Sequence, residues 1–140
     1  MTDDAATEDD LRIVLQQISR LIRHNRSSDD VSDSQLSVLF HLGFYGPQSP
    51  GELAGRERVT PPSMNRTLNG LEEAGYITRS KSPDDARKVV VELTPAATAL
   101  VAETRRLRTA WFSRRLAELD PAERADLLRV VPILQRLAAP

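Results

Sequence analysis

The chain of 140 residues contains no cysteine. That excludes a disulfide framework, a thiolate zinc site and thiol redox chemistry. There are only two histidines, His24 and His41, and no H-x3-H spacing, so no metal is expected. Aromatic residues make up 4% of the chain. No apolar run approaches the roughly 20 residues of a membrane span. Charge of one sign is also missing: 19 Lys and Arg stand against 20 Asp and Glu, a net charge of -1. Taken whole, that balance speaks against nucleic acid as a partner, for which a domain pI above about 9 is the usual cue. The acidic start, Met1 to Asp10, is opposite in sign to a targeting peptide. The expectation is one domain with its own core, in a reducing compartment, the cytoplasm, with no membrane partner.

What the chain does contain is a series of helix signals. Leu11, Val14, Leu15, Ile18, Leu21 and Ile22 recur at helical spacing and predict a helix over 8–25. Ser32-Asp-Ser-Gln35 has the form of a capping box and opens a second helix, stopped at Gly46-Pro47. Ser49-Pro-Gly-Glu52 opens a short third helix as a cap, an N1 proline and a box. Thr60-Pro61-Pro62-Ser63 leads a fourth, through Glu73 and closed by Gly75. Ile77–Lys81 and Lys88–Leu93 are β-prone, with the turn-rich Ser82-Pro-Asp-Asp-Ala-Arg87 between them. Thr94-Pro95 restarts helix to about Leu119. Asp120-Pro-Ala-Glu123 caps a last helix, which Pro132 should kink or break. The fold class is therefore mainly α with a small β-hairpin wing, in the order α-α-α-α-β-β-α-α. It is a winged helix-turn-helix flanked by long helices.

The fourth helix carries the first functional signal. At 100° per residue, Met64, Leu68 and Leu71 share one sector, while Pro62, Arg66, Asn69 and Glu73 lie opposite, flanked by Ser63, Asn65 and Gly70. Compact donor-rich side chains suit the DNA major groove, where Arg chelates guanine and Asn pairs with adenine. A merely polar surface helix has the same composition, and that alternative stays open. Glu73 must then sit beyond the phosphates. The helix N-terminus at Thr60 favours a phosphate, although the two prolines remove two donors. The hairpin brings Arg79, Lys81, Arg87 and Lys88, with Asp85 two residues before Arg87 and placed to brace the tip. An ordinary solvated hairpin is the bland alternative.

Asp85-Ala-Arg87-Lys-Val-Val-Val-Glu-Leu93-Thr94 resembles the wing signature D-x-R-x5-L-T of the MarR (multiple antibiotic resistance regulator) family. Leu71-Glu-Glu-Ala-Gly75-Tyr-Ile77-Thr-Arg79 is similar to that family's L-x-x-x-G-[LYF]-[IV]-x-R. The resemblance spans about residues 8–138. It implies a homodimeric winged-helix transcription factor on a pseudo-palindromic double-stranded operator, with the recognition helix in the major groove and the wing in the minor groove. Thr60, Pro62, Ser63, Asn65, Arg66 and Asn69 are the recognition-helix candidates, and Arg79, Lys81, Asp85, Arg87 and Lys88 the wing candidates. It also implies a repressor released by a small aromatic or phenolic anion, bound between the dimerisation helices and the DNA-binding lobe. Arg20, Arg23, His24, Phe40, His41 and Trp111 are the candidates for that site, with core packing and surface histidines as the alternative. The implied organisation is a disordered acidic arm (1–7), a dimerisation helix (8–30), a winged helix-turn-helix DNA-binding domain (31–93) and C-terminal dimerisation helices (94–140).

The apolar stripes of the flanking helices exceed what a small winged core can cover, which independently favours a second copy over a monomer. No Ser–His–Asp, Cys–His or P-loop constellation is present, so neither enzymatic activity nor a cofactor is expected. A winged helix used only for protein contacts is the competing reading, though such modules usually lose the basic wing. The charge balance also divides by region. Residues 1–33 hold eight acids and four Arg, 34–93 seven of each sign, and 94–140 eight Arg against five acids. Local field, not total charge, governs docking, so a near-neutral sum leaves DNA open as a partner.

Overall fold

Six helices of the computed structural model begin at a side chain that accepts the backbone N–H three residues on. The structure describes residues 6–139, so residues 1–5 of the expected acidic arm lie outside the described residues. The caps are Thr7 for α1 (Glu8–His24), Ser32 for α2 (Asp33–Tyr45), Ser49 for α3 (Pro50–Glu57), Thr60 for α4 (Pro61–Glu73), Thr94 for α5 (Pro95–Ala117) and Asp120 for α6 (Pro121–Arg129). Each satisfies a donor that the first helical turn would otherwise leave unpaired. At the other end of α4, Gly75 takes a φ of +82°. Its N–H bonds to Glu72 O at 3.0 Å and that of Tyr76 to Leu71 O at 2.9 Å. This pair of bonds turns the chain out of the helix and into the hairpin.

The hairpin is β1 (Ile77–Lys81) antiparallel to β2 (Val89–Leu93), in register from Ile77 opposite Leu93 to Lys81 opposite Val89. Gln48, in the loop before α3, bridges Val91 through two backbone bonds, of 3.1 and 2.7 Å. The hairpin is thereby clipped to the helical lobe. The Gln48 side chain is buried and extends the clip. Its Oε1 accepts from Arg56 Nε at 2.7 Å, and its Nε2 donates to His41 O at 3.3 Å. Wing, α2 and α3 therefore meet on one residue.

The expected break at Pro132 is present, and three local details differ from the sequence expectation. The final helix breaks at Val130 into α6 and α7 (Val131–Ala138), because Pro132 has no N–H to continue the ladder. Strand β2 begins at Val89 rather than Lys88, whose N–H closes a turn onto Asp85 O at 2.9 Å. Helix α5 ends at Ala117, since Glu118 and Leu119 donate three residues back instead of four. At α3 the Glu52 carboxylate meets the Ser49 hydroxyl at 3.2 Å rather than the backbone N–H that a full capping box would use.

Burial is concentrated between residues 31 and 101. Leu36, Val38, Leu39 and Leu42 of α2, Leu53 of α3, Met64, Leu68 and Leu71 of α4, Ile77, Val91, Ala97 and Val101 form one cluster. Among the described residues, none of α1, α6 or α7 is buried. Loop 25–31 is tied to α5 by polar bonds instead. Ser27 meets the buried Thr104 hydroxyl at 3.1 Å, and Arg108 Nε donates to Asn25 O at 3.2 Å.

Two substitutions test this account by denaturant midpoints at fixed protein concentration. Leu39→Ala should cost about 2–5 kcal/mol, because its site is sealed on all sides. Gln48→Leu preserves volume and both backbone bonds but strands Arg56 Nε and removes a second donor from the His41 carbonyl, and should cost about 1–3 kcal/mol. A loss no larger than an ordinary surface change would refute the part given to the Gln48 side chain.

Candidate nucleic-acid interface

Because Met64, Leu68 and Leu71 point into the core, the opposite face of α4 is fixed outward. Pro62, Ser63, Asn65, Arg66 and Asn69 are all exposed on it, and Arg66 has no ion-pair partner among the described residues. Gly70 lies on the flank that meets α2. A Cβ there would come within 2.7 Å of Gln35 Nε2, so the Gln35 amide would have to move aside.

The N-terminus of α4 offers little to an anion through its amides. Pro61 and Pro62 carry no N–H. The Ser63 N–H reaches the Thr60 hydroxyl at 3.4 Å, and the Met64 N–H reaches Thr60 O at 2.9 Å. The helix dipole remains, but the donors that usually accompany it are missing or already used.

At the wing tip, Asp85 Oδ1 accepts from the Arg87 backbone N–H at 3.0 Å and from Arg87 Nε at 3.3 Å. The guanidinium itself stands clear, with its side chain 91% exposed. Lys81 and Lys88 are exposed beside it. Arg79 sits apart from this group. Its side chain is only 23% exposed, and its Nη2 donates to Asn69 Oδ1 of α4 at 2.7 Å. Its Nε is buried without a hydrogen bond, 3.9 Å from the Glu72 carboxylate.

The six residues considered for a small ligand fall into separate places. Arg20, Arg23 and His24 line a recess of about 90 Å³ together with Arg26 and Asp33. Phe40 faces α5, with the guanidinium of Arg108 5.0 Å and that of Arg105 5.9 Å from its ring. Trp111 lies one helical turn further along α5, beside Phe112. His41 is one residue on from Phe40, so it projects about 100° away, toward α3. There its Nδ1 is 3.0 Å from Glu57 Oε1 without hydrogen-bond alignment, and the same oxygen accepts from Ser37 at 2.6 Å. His41 lines a different cavity, of about 450 Å³, with Tyr45, Glu52, Gly55, Arg56 and Arg58.

Sequence reasoning missed Arg26, Arg105 and Arg108. Burial pushes the Arg108 guanidinium below its ordinary range. Asp33 opposes that shift, and Arg23 and Arg26 add to it. The spacing of Arg105 and Arg108 on one face of α5 was a usable signal. Glu57, sixteen residues from His41, gave none. Among the described residues no group of His, Asp and Glu could hold a metal ion, and no helix is long and apolar enough to cross a membrane.

Comparison with known proteins agrees with this geometry. The family model described as MarR family matches residues 31–89. An HTH-type transcriptional regulator of Mycobacterium tuberculosis is 41% identical over 129 residues, covering 92% of this chain and 90% of the relative. An HTH-type transcriptional repressor of the same species is 34% identical over 88 residues, or 60% of this chain and 63% of the relative. The crystal structure of a cysteine-to-serine mutant of MarR from E. coli, complexed with operator DNA, superimposes with a TM-score of 0.68. The two are 25% identical, with 92% of this chain and 91% of that one covered. With its helix-turn-helix, wing and flanking helices in the same order, the chain belongs to the MarR family of transcriptional regulators and is not an enzyme.

Proposed function

We propose that the protein is a homodimeric, sequence-specific repressor that acts on double-stranded DNA in the cytoplasm. The observation that carries this reading is the outward face of α4, with Ser63, Asn65, Arg66 and Asn69 exposed, beside a wing whose Arg87 is held upright by Asp85. A helix of this kind fits the major groove, and a slender arginine-bearing tip fits the minor groove. The operator complex of the E. coli relative and the repressor among the mycobacterial relatives support the same assignment.

The dimer is supported by what the single chain leaves uncovered. Leu11, Val14, Ile18 and Leu21 of α1, Leu127 and Leu128 of α6, and Ile133 and Leu137 of α7 are exposed, Leu137 to 69%. Burying such stripes against a second copy removes apolar surface from water at about 25 cal/mol per Å². Domain roles follow from this: residues 31–93 read DNA, and 8–30 with 94–140 pair the two copies.

A small aromatic anion is the proposed effector. Arg20 and Arg23 supply positive charge at the α1 recess, where Arg26 is already paired with Asp33, and Arg108 of α5 lies over the Phe40 ring. A ligand wedged there would push on α2, and through α2 on α4.

Three measurements test this function. Selection from random duplex DNA should enrich a two-fold site with half-sites about one helical turn apart. Its affinity should fall steeply with salt and weaken on adding aromatic carboxylates. No enrichment would favour a module for protein contacts. Arg87→Ala should lower operator affinity by roughly tenfold while leaving the dimer folded, and unchanged affinity would remove the wing's role. In sedimentation at tens of micromolar the protein should be dimeric and Leu137→Glu shifted toward monomer; a monomeric wild type would refute the interface.

A further inference from the structure

We infer that Arg79 is a positioning residue that fixes the Asn69 carboxamide as a donor, so that Asn69 reads guanine rather than adenine. The inference rests on the proposed DNA-reading function and assigns the chemistry of one base contact within it.

A guanidinium has N–H donors and no acceptor, so the group facing Arg79 Nη2 at 2.7 Å must be the carboxamide oxygen of Asn69. The –NH2 end of Asn69 therefore points the other way, on the exposed face of α4. Among the described residues no acceptor engages it. Free asparagine amides can turn over and offer either end, but this one is held.

The holder is itself held. Arg79 lies on β1 opposite Val91, the buried residue that Gln48 clips to the helical lobe. Its side chain is half-buried between β1 and α4, with Nε fully so. Glu72, at 3.9 Å from Nε, is too distant for a hydrogen bond and leaves the cation incompletely neutralised.

Asparagine pairs with adenine by accepting from N6–H2 and donating to N7. Here the oxygen already receives a cationic N–H. An adenine amino group on the same oxygen would bring a second donor against the guanidinium. Guanine instead presents two acceptors, N7 and O6, both of which suit the free –NH2 and the positive field behind it. Thymine offers one acceptor flanked by a methyl group, and cytosine a donor. The adenine pairing expected for Asn69 from residue type alone is thus reversed by its neighbour.

The test is selection from random duplex DNA with the full-length protein, in wild-type, Asn69→Ala, Arg79→Met and Arg79→Lys forms, each checked for cooperative unfolding. The base pair whose preference disappears in Asn69→Ala is the one that residue 69 reads. It should be G·C in the wild type, preferred about tenfold or more over A·T. Arg79→Met, which frees the carboxamide, should flatten that preference and leave other positions unchanged. Arg79→Lys, which still donates to the oxygen, should restore it. The inference is overturned by A·T at that pair, by an Asn69→Ala loss with no change at any base pair, or by an undiminished preference in Arg79→Met. Should Arg79→Met fail to fold, the wild-type identity of the pair decides alone. A wild type that enriches no sequence removes the proposed function itself, whereas enrichment with A·T removes only the role given to Arg79.

Discussion

The two backbone hydrogen bonds between Gln48 and Val91 are the constraint on which the rest of the interface depends. A two-stranded hairpin is marginal by itself. Here it gains a third, one-residue strand from a loop whose other bonds run to α2 and α3. Position is transmitted along this route. Val91 fixes β1 across the ladder, β1 carries Arg79, and Arg79 holds a side chain of α4. Wing and α4 are thus tied to each other by more than the short turn that joins them.

A second feature of the molecule is the unequal distribution of its apolar residues. Most of those between 31 and 101 close a core within the single chain, Phe44 and Tyr45 at the end of α2 being exceptions, while those of α1, α6 and α7 do not. Helix α5 spans both regions: Ala97 and Val101 at its start are in the core, and Phe112 near its end is exposed. Between them, Thr104 and Arg108 bind loop 25–31. The loop that precedes α2 is thus continuous with α1 and bonded to α5.

Much of this was legible in the sequence because the signals are local. Each cap is a short polar residue followed by proline or by an acceptor three residues on, and the Pro132 break needs only the missing N–H. The outward face of α4 follows from three apolar residues in one sector. The brace of Asp85 on Arg87 follows from a two-residue offset. What could not be read were pairings between distant segments. Nothing in the sequence joins Gln48 to Val91, Glu57 to His41 or Arg79 to Asn69. Phe40 and His41 were grouped by residue type, yet neighbours on a helix diverge, and what lies opposite each is decided by tertiary packing. Arg79 had the composition of a DNA-contacting residue, but a half-buried arginine is occupied by its neighbours first.

The brace at the wing tip bears on the near-zero net charge. On the proposed function, Asp85 is an internal competitor for Arg87: whatever draws the guanidinium away must outbid a carboxylate already 3.3 Å from it. A narrow groove that encloses the tip offers more, because water is expelled and the field is focused there. The pair is exposed and worth at most about 1 kcal/mol, so the acid orients the tip without withholding it.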